Sequence, residues 1–228
     1  MPIGENYTKI LDLIEIKPSV LFEVGSRYGF DSITMSKKYK NSKIYSYECN
    51  PATVDECRDN LKKYNNVIFN GYGLGNKCEE KKFNIYAPNK TINKITVGAS
   101  SFYKRSDSNN FKETLNKVKL STLKKEIEKY NIETIDILCM DVQGYELNIL
   151  KGAKEFINRI KYIIMEQPKP MHEKINNSKK HRLPINDYES APIYEEIEKF
   201  MKENNFVEVY KKQENLYEDN VLYKNKLF

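Results

Sequence analysis

Acidic residues lie at or near the ends of three apolar runs in this 228-residue chain. Glu23 lies near the end of VLFEV, Glu48 ends KIYSYE, and Asp141 ends IDILCMD. The carboxyl ends of parallel strands meet at one edge of an open α/β sheet, where ligands bind, so we expect these carboxylates to face one site. Carboxylates in such a position can accept hydrogen bonds from ribose hydroxyls or from an ammonium group.

Glycines mark the same predicted edge. The first loop reads EVGSRYG, and glycine there lets the backbone turn tightly and approach a ligand closely. This loop lacks the Gly-x-Gly-x-x-Gly pattern of dinucleotide-binding enzymes. Glu48 follows it by roughly 20 residues, the spacing at which an acid holds a ribose diol, so the pattern predicts a nucleoside-type cofactor. Seven of the nine glycines lie in loops beyond predicted strand ends, namely Gly25, Gly29, Gly71, Gly73, Gly75, Gly98 and Gly144.

Strand and helix patterns alternate along the chain, which predicts a parallel sheet with right-handed crossovers. The predicted strands are VLFEV, residues 43–51, residues 66–75 (running into a glycine-rich turn), IDILCMD and residues 161–168. The predicted helices are residues 5–16, DSITMSKKYK, ATVDECRDNLKKY, residues 121–131 with Ser121 as N-cap, and PIYEEIEKFMKENN.

The remaining segments are less regular. Between residues 76 and 120, KKFNIYAP alternates like an edge strand, GASSFYKRSDSNN reads as a polar loop, and KVKL as a short strand. Residues 167–191 hold three prolines and many polar groups, which predicts a long loop that could cover a site as a lid. FVEVYKK and NVLYKNK predict an antiparallel hairpin. With no repeat and no linker pattern, residues 1–228 are expected to form a single domain.

Composition and charge restrict the class of protein. The net charge of +6 keeps a nucleic-acid partner possible, but lysines alternate with glutamates instead of forming one stripe, so such a partner is not favoured. No run approaches the roughly 18 apolar residues of a membrane span, and the N-terminus lacks a signal-peptide pattern, which together predict a cytoplasmic protein. None of the four cysteines (49, 57, 78 and 139) belongs to a Cys-x-x-Cys pair, so we expect reduced thiols.

Several of these segments resemble the FkbM family of S-adenosylmethionine-dependent methyltransferases. The most specific is DVQGYE followed by LKGA, and the C-terminal hairpin is also similar. The resemblance implies an α/β, Rossmann-like class I methyltransferase fold, with a mostly parallel seven-stranded sheet, a C-terminal antiparallel hairpin and helices on both faces. It also implies O-methylation of a sugar, glycan or other small-molecule hydroxyl. In the family's order, over about residues 18–168, the matching segments are VLFEVGSRYG, YSYECNP, GASSFYK, KLSTLKKEI, IDILCMDVQGYELNILKGA and IIMEQP.

The sequence departs from the family pattern at three positions. Glu23 stands where the family usually has Asp, Cys49 stands where Pro is usual, and Cys139 stands where a basic residue is common. The acids keep their charge, so cofactor binding is expected to survive these changes.

The resemblance and the residue chemistry together assign roles in binding S-adenosylmethionine. Backbone N–H groups of the loop at 25–29 would meet the cofactor's carboxylate, and Glu48 would hold the ribose hydroxyls. Asp141 would attract the ammonium and sulfonium groups, and the turn at 73–75 is a candidate wall for the adenine. The predicted cofactor-binding residues are Glu23, Gly25, Ser26, Tyr28, Gly29, Glu48, Cys49, Gly73, Leu74, Asp141 and Val142.

Methyl transfer to a hydroxyl is an in-line displacement that needs alignment, exclusion of water and a general base. We predict Asp141, Glu166 and His172 as catalytic residues, with His181 as a second histidine of the loop. Glu166 qualifies because it lies near the end of the fifth predicted strand. A divalent metal held by Asp141 and Glu166 is the disfavoured alternative, so no metal ligand is predicted.

Some residues and some functions stay open at this stage. Gln143 and Glu146 could serve the turn and the helix start or contact the acceptor, and Ser100 and Ser101 could line the acceptor pocket or stabilise a turn. The alternative functions are RNA ribose methylation, nicotinamide-dependent oxidation and reduction, and a non-catalytic binding module.

Overall fold

The computed structural model describes residues 9–88, 97–106, 111–181 and 188–228. Its main sheet has seven strands in the order β3-β2-β1-β7-β8-β10-β9. The first five strands of this order are parallel, and β10 is antiparallel to both of its neighbours. This is the predicted Rossmann-like sheet with its final hairpin. The strands are β1 Val20–Val24, β2 Lys43–Tyr47, β3 Val67–Asn70, β7 Ile135–Met140, β8 Ile160–Pro168, β9 Phe206–Gln213 and β10 Glu218–Asn225.

Helices cover both faces of this sheet. Successive side chains of β1 and β7 point to opposite faces and enter two separate hydrophobic clusters, so these strands read as continuous apolar runs. Six α-helices lie within the described residues, and a 3₁₀ segment follows the fourth. They are α1 Phe30–Lys38, α2 Val54–Leu61, α3 Leu123–Lys129, α4 Glu146–Lys151, α5 Met171–His181 and α6 Tyr194–Glu203, with the 3₁₀ helix at Lys154–Arg159.

A second, three-stranded sheet has the order β4-β6-β5 and stands beside the carboxyl edge of the main sheet. The third predicted strand is confirmed as β3. The glycine-rich turn predicted after it contains β4, which pairs with the end of β6 and not with the main sheet. The short strand predicted at KVKL is the end of the eleven-residue strand β6, whose residues 111–120 pair with β5. The strands are β4 Gly73–Leu74, β5 Glu79–Pro88 and β6 Phe111–Ser121.

Three further predictions need correction. Within the predicted helix 5–16, residues 9–11 are helical and turns follow, with i→i−3 bonds from Leu13 and Ile14; residues 1–8 lie outside the described part. Ser121 ends β6, and Thr122 caps α3 by accepting the N–H of Lys125 (3.2 Å). The predicted loop 167–191 contains the eleven-residue helix α5, so proline and polar content misled the prediction.

No helix in the described part of the chain is long and apolar enough to cross a bilayer. All four cysteines carry free thiols: those of Cys57 and Cys139 are buried, and that of Cys78 is exposed.

Candidate functional site

The loop after β1 approaches the end of β7 so closely that only glycine fits at position 25. Gly25 has φ +89°, and a Cβ placed on it would lie 2.0 Å from the carbonyl oxygen of Asp141. Its N–H donates to the carbonyl of Tyr47 (3.0 Å), and the N–H of Asp141 donates to the carbonyl of Val24 (3.0 Å). The ends of β1, β2 and β7 are therefore joined through backbone contacts.

Glu48 fixes the same loop from β2. Its carboxylate is buried and accepts the backbone N–H groups of Arg27 (2.5 Å) and Asn50 (2.6 Å). Burial raises the pKa of Glu48 to about 7, and these N–H donors oppose the rise. The carboxylate thus holds the loop in place at the position where the spacing predicted a ribose acceptor.

A cavity lies between these strand ends, with an empty volume of about 650 Å³ that includes solvent at its open mouth. This volume is within the range of cofactor sites. Of the predicted cofactor-binding residues, the cavity is lined by Gly25, Glu48, Cys49, Gly73, Leu74, Asp141 and Val142. Its other lining residues are Val24, Arg27, Tyr47, Asn50, Thr53, Phe83, Val97, Gly98, Ser100, Phe102, Gln143 and Tyr145. We call this the first cavity.

Four predicted cofactor-binding residues are not among those that line the cavity: Glu23, Ser26, Tyr28 and Gly29. The Glu23 carboxylate accepts the hydroxyl of Ser32, and its pKa rises to about 8, first through burial and then through the nearby carboxylate of Asp31. The hydroxyls of Ser26 and Ser46 are 2.6 Å apart. The contacts of Glu23 and Ser26 tie the loop and the end of β1 to Ser32 and Ser46.

Arg27 is a lining residue that the sequence reasoning missed. Its guanidinium lies against Gly98, where an added Cβ would be 2.6 Å from Cζ, and it stands over the ring of Tyr28 (5.2 Å to the centroid). Arg27 is a basic residue between the two glycines of the loop, and this placement was a sequence signal for a lining role. The aromatic lining residues gave no such signal, because Tyr occurs 17 times and Phe 10 times in the chain.

Gln143 connects the two predicted catalytic acids. Its side-chain amide donates to Oδ1 of Asp141 (2.7 Å) and to Oε2 of Glu166 (3.0 Å). Burial is the main reason that the pKa values of both acids are raised, and for Glu166 the neighbouring Asp141 adds to it. The hydroxyl of Tyr188 lies 2.7 Å from Oε1 of Gln143 and 2.9 Å from the carbonyl oxygen of Ala99, so its single hydrogen can be donated to either. The orientation of the Gln143 side-chain amide is therefore set by its hydrogen-bond partners.

A second cavity opens on the far side of the turn at Gln143 and Gly144, with an empty volume of about 410 Å³ that includes open solvent. Gly144 has φ +92° at this turn. Glu166, predicted as catalytic, lines the second cavity and not the first. The other lining residues are Gly144, Glu146, Pro168, Lys174, Tyr188, Ala191, Pro192, Tyr217 and Glu218.

The remaining predicted residues lie apart or in supporting positions. His172 is on α5 with its side chain 76% exposed, and it lines neither cavity. His181 ends α5, and its side chain is outside the described part. Ser101 donates to the carbonyl of Gln143 (2.7 Å), while Ser100 lines the first cavity. Within the described ranges, no group of three His, Cys, Asp or Glu residues has the arrangement of a metal site.

A family model and a curated relative match this chain. The model of the methyltransferase FkbM domain matches residues 23–208. Hexuronic acid methyltransferase AglP from Haloferax volcanii is 25% identical over 150 residues, which is 64% of this chain and 55% of that protein. The chain therefore spans about half the length of this curated relative.

Solved structures of methyltransferases share the fold. M. capricolum TrmK in complex with S-adenosyl-homocysteine matches with a TM-score of 0.54 at 10% identity, covering 99% of this chain and 70% of that one. Aeropyrum pernix fibrillarin with natively bound S-adenosyl-L-methionine matches with a TM-score of 0.52 at 10% identity, covering 96% and 74%. A methyltransferase from Aquifex aeolicus matches with a TM-score of 0.50 at 14% identity, covering 97% and 89%. The predicted fold class is confirmed.

Proposed function

The chain belongs to the FkbM family of methyltransferase domains, and from this membership we propose that it transfers the methyl group of S-adenosylmethionine to a hydroxyl of a sugar, a glycan or another small molecule. The family match confirms the predicted methyltransferase domain. The S-adenosyl ligands of solved structures that share the fold support the predicted cofactor. The acceptor is supported by the relative that acts on a hexuronic acid.

The observation that carries the proposal is that Gly25, Glu48 and Asp141, from three neighbouring strand ends, line one cavity. Glu48 can accept hydrogen bonds from the ribose hydroxyls. The Arg27 guanidinium and the loop N–H groups suit the cofactor's carboxylate. Asp141 suits the ammonium and sulfonium groups, since an anion stabilises both.

The adenine position is proposed at Cys49, Gly73 and Leu74. Gly73 has no side chain to fill this part of the cavity: an added Cβ would lie 2.8 Å from Leu120 and 3.1 Å from the Cys49 thiol. A flat base needs such a slot with apolar walls.

Catalysis of methyl transfer rests on alignment and on removal of the hydroxyl proton. Glu166 is the proposed base, because it contacts Asp141 and Gln143 and lines the neighbouring cavity. Burial raises the pKa of Glu166, which makes its carboxylate a stronger proton acceptor than an exposed carboxylate. When bound, S-adenosylmethionine would supply the methyl group and an uncharged sulfide as leaving group, and Glu166 would take the proton of the attacking hydroxyl.

Isothermal titration with S-adenosyl-homocysteine and NADH, together with transfer of labelled methyl to glycan acceptors, tests the proposal. We expect S-adenosyl-homocysteine to bind at micromolar concentration and labelled methyl to appear on a hydroxyl. Binding of NADH without S-adenosyl-homocysteine would favour an oxidoreductase, and transfer to RNA ribose alone would favour a nucleic-acid acceptor.

A further inference from the structure

A small pocket lies beside the start of α1 and adjoins the first cavity. Its empty volume is about 220 Å³, which includes open solvent, and its lining includes Asp31 of α1, Cys139 of β7 and Asp141. Val24, Gly25 and Asp141 line both this pocket and the first cavity. We call it the α1 pocket. A ligand that lies along Gly25 in the first cavity can therefore extend into the α1 pocket.

Asp31 brings a carboxylate oxygen without a hydrogen-bond donor to this pocket. Within the described part of the chain, its Oδ1 atom is buried and has no hydrogen-bond partner. Burial, followed by the neighbouring Asp141 carboxylate, raises the pKa of Asp31 to about 6, so Asp31 is still mostly ionised at pH 7. A buried carboxylate oxygen that lacks a donor is costly unless a ligand supplies one.

The neighbouring acids already have donors. Asp141 accepts the side-chain amide of Gln143 (2.7 Å), and Glu23 accepts the hydroxyl of Ser32. Burial is the main reason that the pKa of Glu23 rises to about 8, so this carboxyl group is mostly protonated at pH 7 and adds little charge to the pocket. Asp31 is therefore the acid of the α1 pocket whose missing donor a ligand would supply.

The position of Asp31 in the first turn of α1 offers a different explanation for an acid there. The N-terminus of a helix favours a negative charge, because its free N–H groups carry partial positive charge. Asp55 lies in the first turn of α2, where its side chain is 81% exposed and pairs with Arg58. The Oδ1 atom of Asp31 is instead buried near Asp141. The helix dipole explains the residue type at this position but not the burial of its carboxylate.

Resting on the proposed function, we propose that Asp31 binds the ammonium group of S-adenosylmethionine and that Asp141 is the second acceptor of this group. An ammonium group has three N–H donors, so it can supply the Asp31 oxygen and also donate to Asp141. It would reduce the repulsion between the two carboxylates as well. The N–H groups of the loop at 25–29 and the Arg27 guanidinium stay available for the cofactor's carboxylate. Asp31 was not among the site residues predicted from the sequence.

Three ligands that differ only at the amino-acid end test the inference on the full chain. S-adenosyl-homocysteine carries an ammonium and a carboxylate, its deaminated analogue carries the carboxylate alone, and its decarboxylated analogue carries the ammonium alone. Titration calorimetry at pH 7 measures each affinity. We expect the deaminated analogue to bind at least about tenfold more weakly than S-adenosyl-homocysteine, because it lacks a hydrogen bond between charged groups. Equal affinities of these two ligands would overturn the inference.

Asp31→Asn links the result to the α1 pocket. We expect it to weaken binding of S-adenosyl-homocysteine and of the decarboxylated analogue about tenfold, and to change the affinity of the deaminated analogue by less than about twofold. A residue that only supports the fold would affect all three ligands alike, so a uniform loss, or no change for any ligand, would overturn the inference. Asp31→Ala, which suits a helix, gives the same comparison if Asp31→Asn fails to fold.

Two control variants remove other carboxylates. Asp55→Asn makes the same substitution in the first turn of α2, and Glu203→Gln, an exposed substitution on α6, controls for net charge. Both should leave the three affinities unchanged, and a loss in Asp55→Asn equal to that in Asp31→Asn would overturn the inference. The melting temperature of Asp31→Asn should equal or exceed that of the unsubstituted protein, because a buried carboxylate without a donor is removed. A lower melting temperature with a uniform loss of affinity would show that Asp31 serves the helix and not the ligand.

Titration of S-adenosyl-homocysteine separates this inference from the proposed function. If S-adenosyl-homocysteine binds and the deaminated analogue binds equally well, the role of Asp31 is wrong and the methyltransferase proposal stands. If S-adenosyl-homocysteine does not bind, the proposed function and this inference fail together.

Discussion

The two cavities described above differ in the contacts that fix them. At the first, main-chain contacts fix the loop: Gly25 touches Asp141 through main-chain atoms, and Glu48 holds main-chain N–H groups. The second is formed by the side chains of Glu146, Glu166 and Glu218, which come from three separate segments. A backbone site cannot change without disturbing the fold, whereas a side-chain site can change its charge by single substitutions. This difference suits a constant cofactor beside a variable acceptor.

The largest effect is expected where the first cavity is tightest. Gly25→Ala would place Cβ 2.0 Å from a carbonyl oxygen at φ +89°, and the left-handed backbone alone costs about 1–2 kcal/mol. We expect S-adenosyl-homocysteine affinity to fall more than about 100-fold, or about 2.8 kcal/mol, by titration calorimetry.

Gly71→Ala is the matched control for this substitution. Its added Cβ meets side-chain atoms of Arg58 (3.2 Å) and Val54 (3.3 Å), which can move. Normal affinity in Gly25→Ala, or equal losses in the two variants, would contradict a site built from close backbone contacts.

Glu48→Ala should give the next largest effect. It removes the proposed ribose acceptor and leaves the N–H groups of Arg27 and Asn50 without their carboxylate, at about 1–3 kcal/mol each. We expect a 10- to 100-fold loss of S-adenosyl-homocysteine affinity and a lower melting temperature. If Glu48→Ala binds as well as Glu203→Gln, Glu48 does not hold the cofactor.

The acids that line or support the cavities predict a pH dependence of stability. Folding raises the pKa of Glu23 and Glu146 to about 8 and that of Glu48 to about 7, from about 4.5. The folded protein therefore holds more protons than the unfolded chain between about pH 4.5 and 8, so the free energy of unfolding falls as pH rises through this range.

Glu146→Gln should flatten that fall by up to about 1.4 kcal/mol per pH unit, because one titrating group is removed. Urea unfolding at pH 5, 6, 7 and 8 measures the slope. Glu203→Gln should leave it unchanged. Stability that rises with pH would show that these carboxylates are not held protonated by burial.

A smaller effect on the free energy of unfolding is expected at the turn of Gln143 and Gly144, which lies between the two cavities. The Tyr188 hydroxyl lies 2.7 Å from Oε1 of Gln143, and a net hydrogen bond is worth about 0.5–1.5 kcal/mol. A double-mutant cycle of Gln143→Leu and Tyr188→Phe, followed by urea unfolding, should show a coupling energy of this size. If the effects of the two substitutions on the free energy of unfolding simply add, this hydrogen bond does not stabilise the turn between the cavities.

The smallest effect is expected for His172→Ala. Its side chain is 76% exposed and lines neither cavity, so stability should change by less than about 0.5 kcal/mol. Methyl transfer should be unchanged within error. A large loss of activity with normal folding would restore the catalytic role that the sequence suggested for this residue.

Sequence reasoning recovered the first cavity better than the second, for a physical reason. Glu48 and Asp141 end apolar strands, and Gly25 follows one, so spacing along the chain reports their position at the sheet edge. Glu146 and Glu218 are 72 positions apart, and no local pattern indicates that β10 brings them together. The antiparallel strand β10 places Glu218 opposite Pro168, a contact that depends on tertiary register.

Local errors had similar causes. The helix α5 was missed because its polar residues and the flanking prolines read as a loop, although its apolar positions suit a surface helix. Ser26 and Tyr28 belong to the same motif but do not line the first cavity. Their part in cofactor binding stays a prediction, because the motif indicates position along the sheet edge and not the direction of each side chain.

A crystal structure with S-adenosyl-homocysteine tests the central claim most directly. We expect the ribose hydroxyls at Glu48, the adenine between Cys49 and Leu74, and the sulfur directed at the Gln143 turn that separates the two cavities. A ligand outside the first cavity, or a sulfur directed away from that turn and from Glu166, would contradict it.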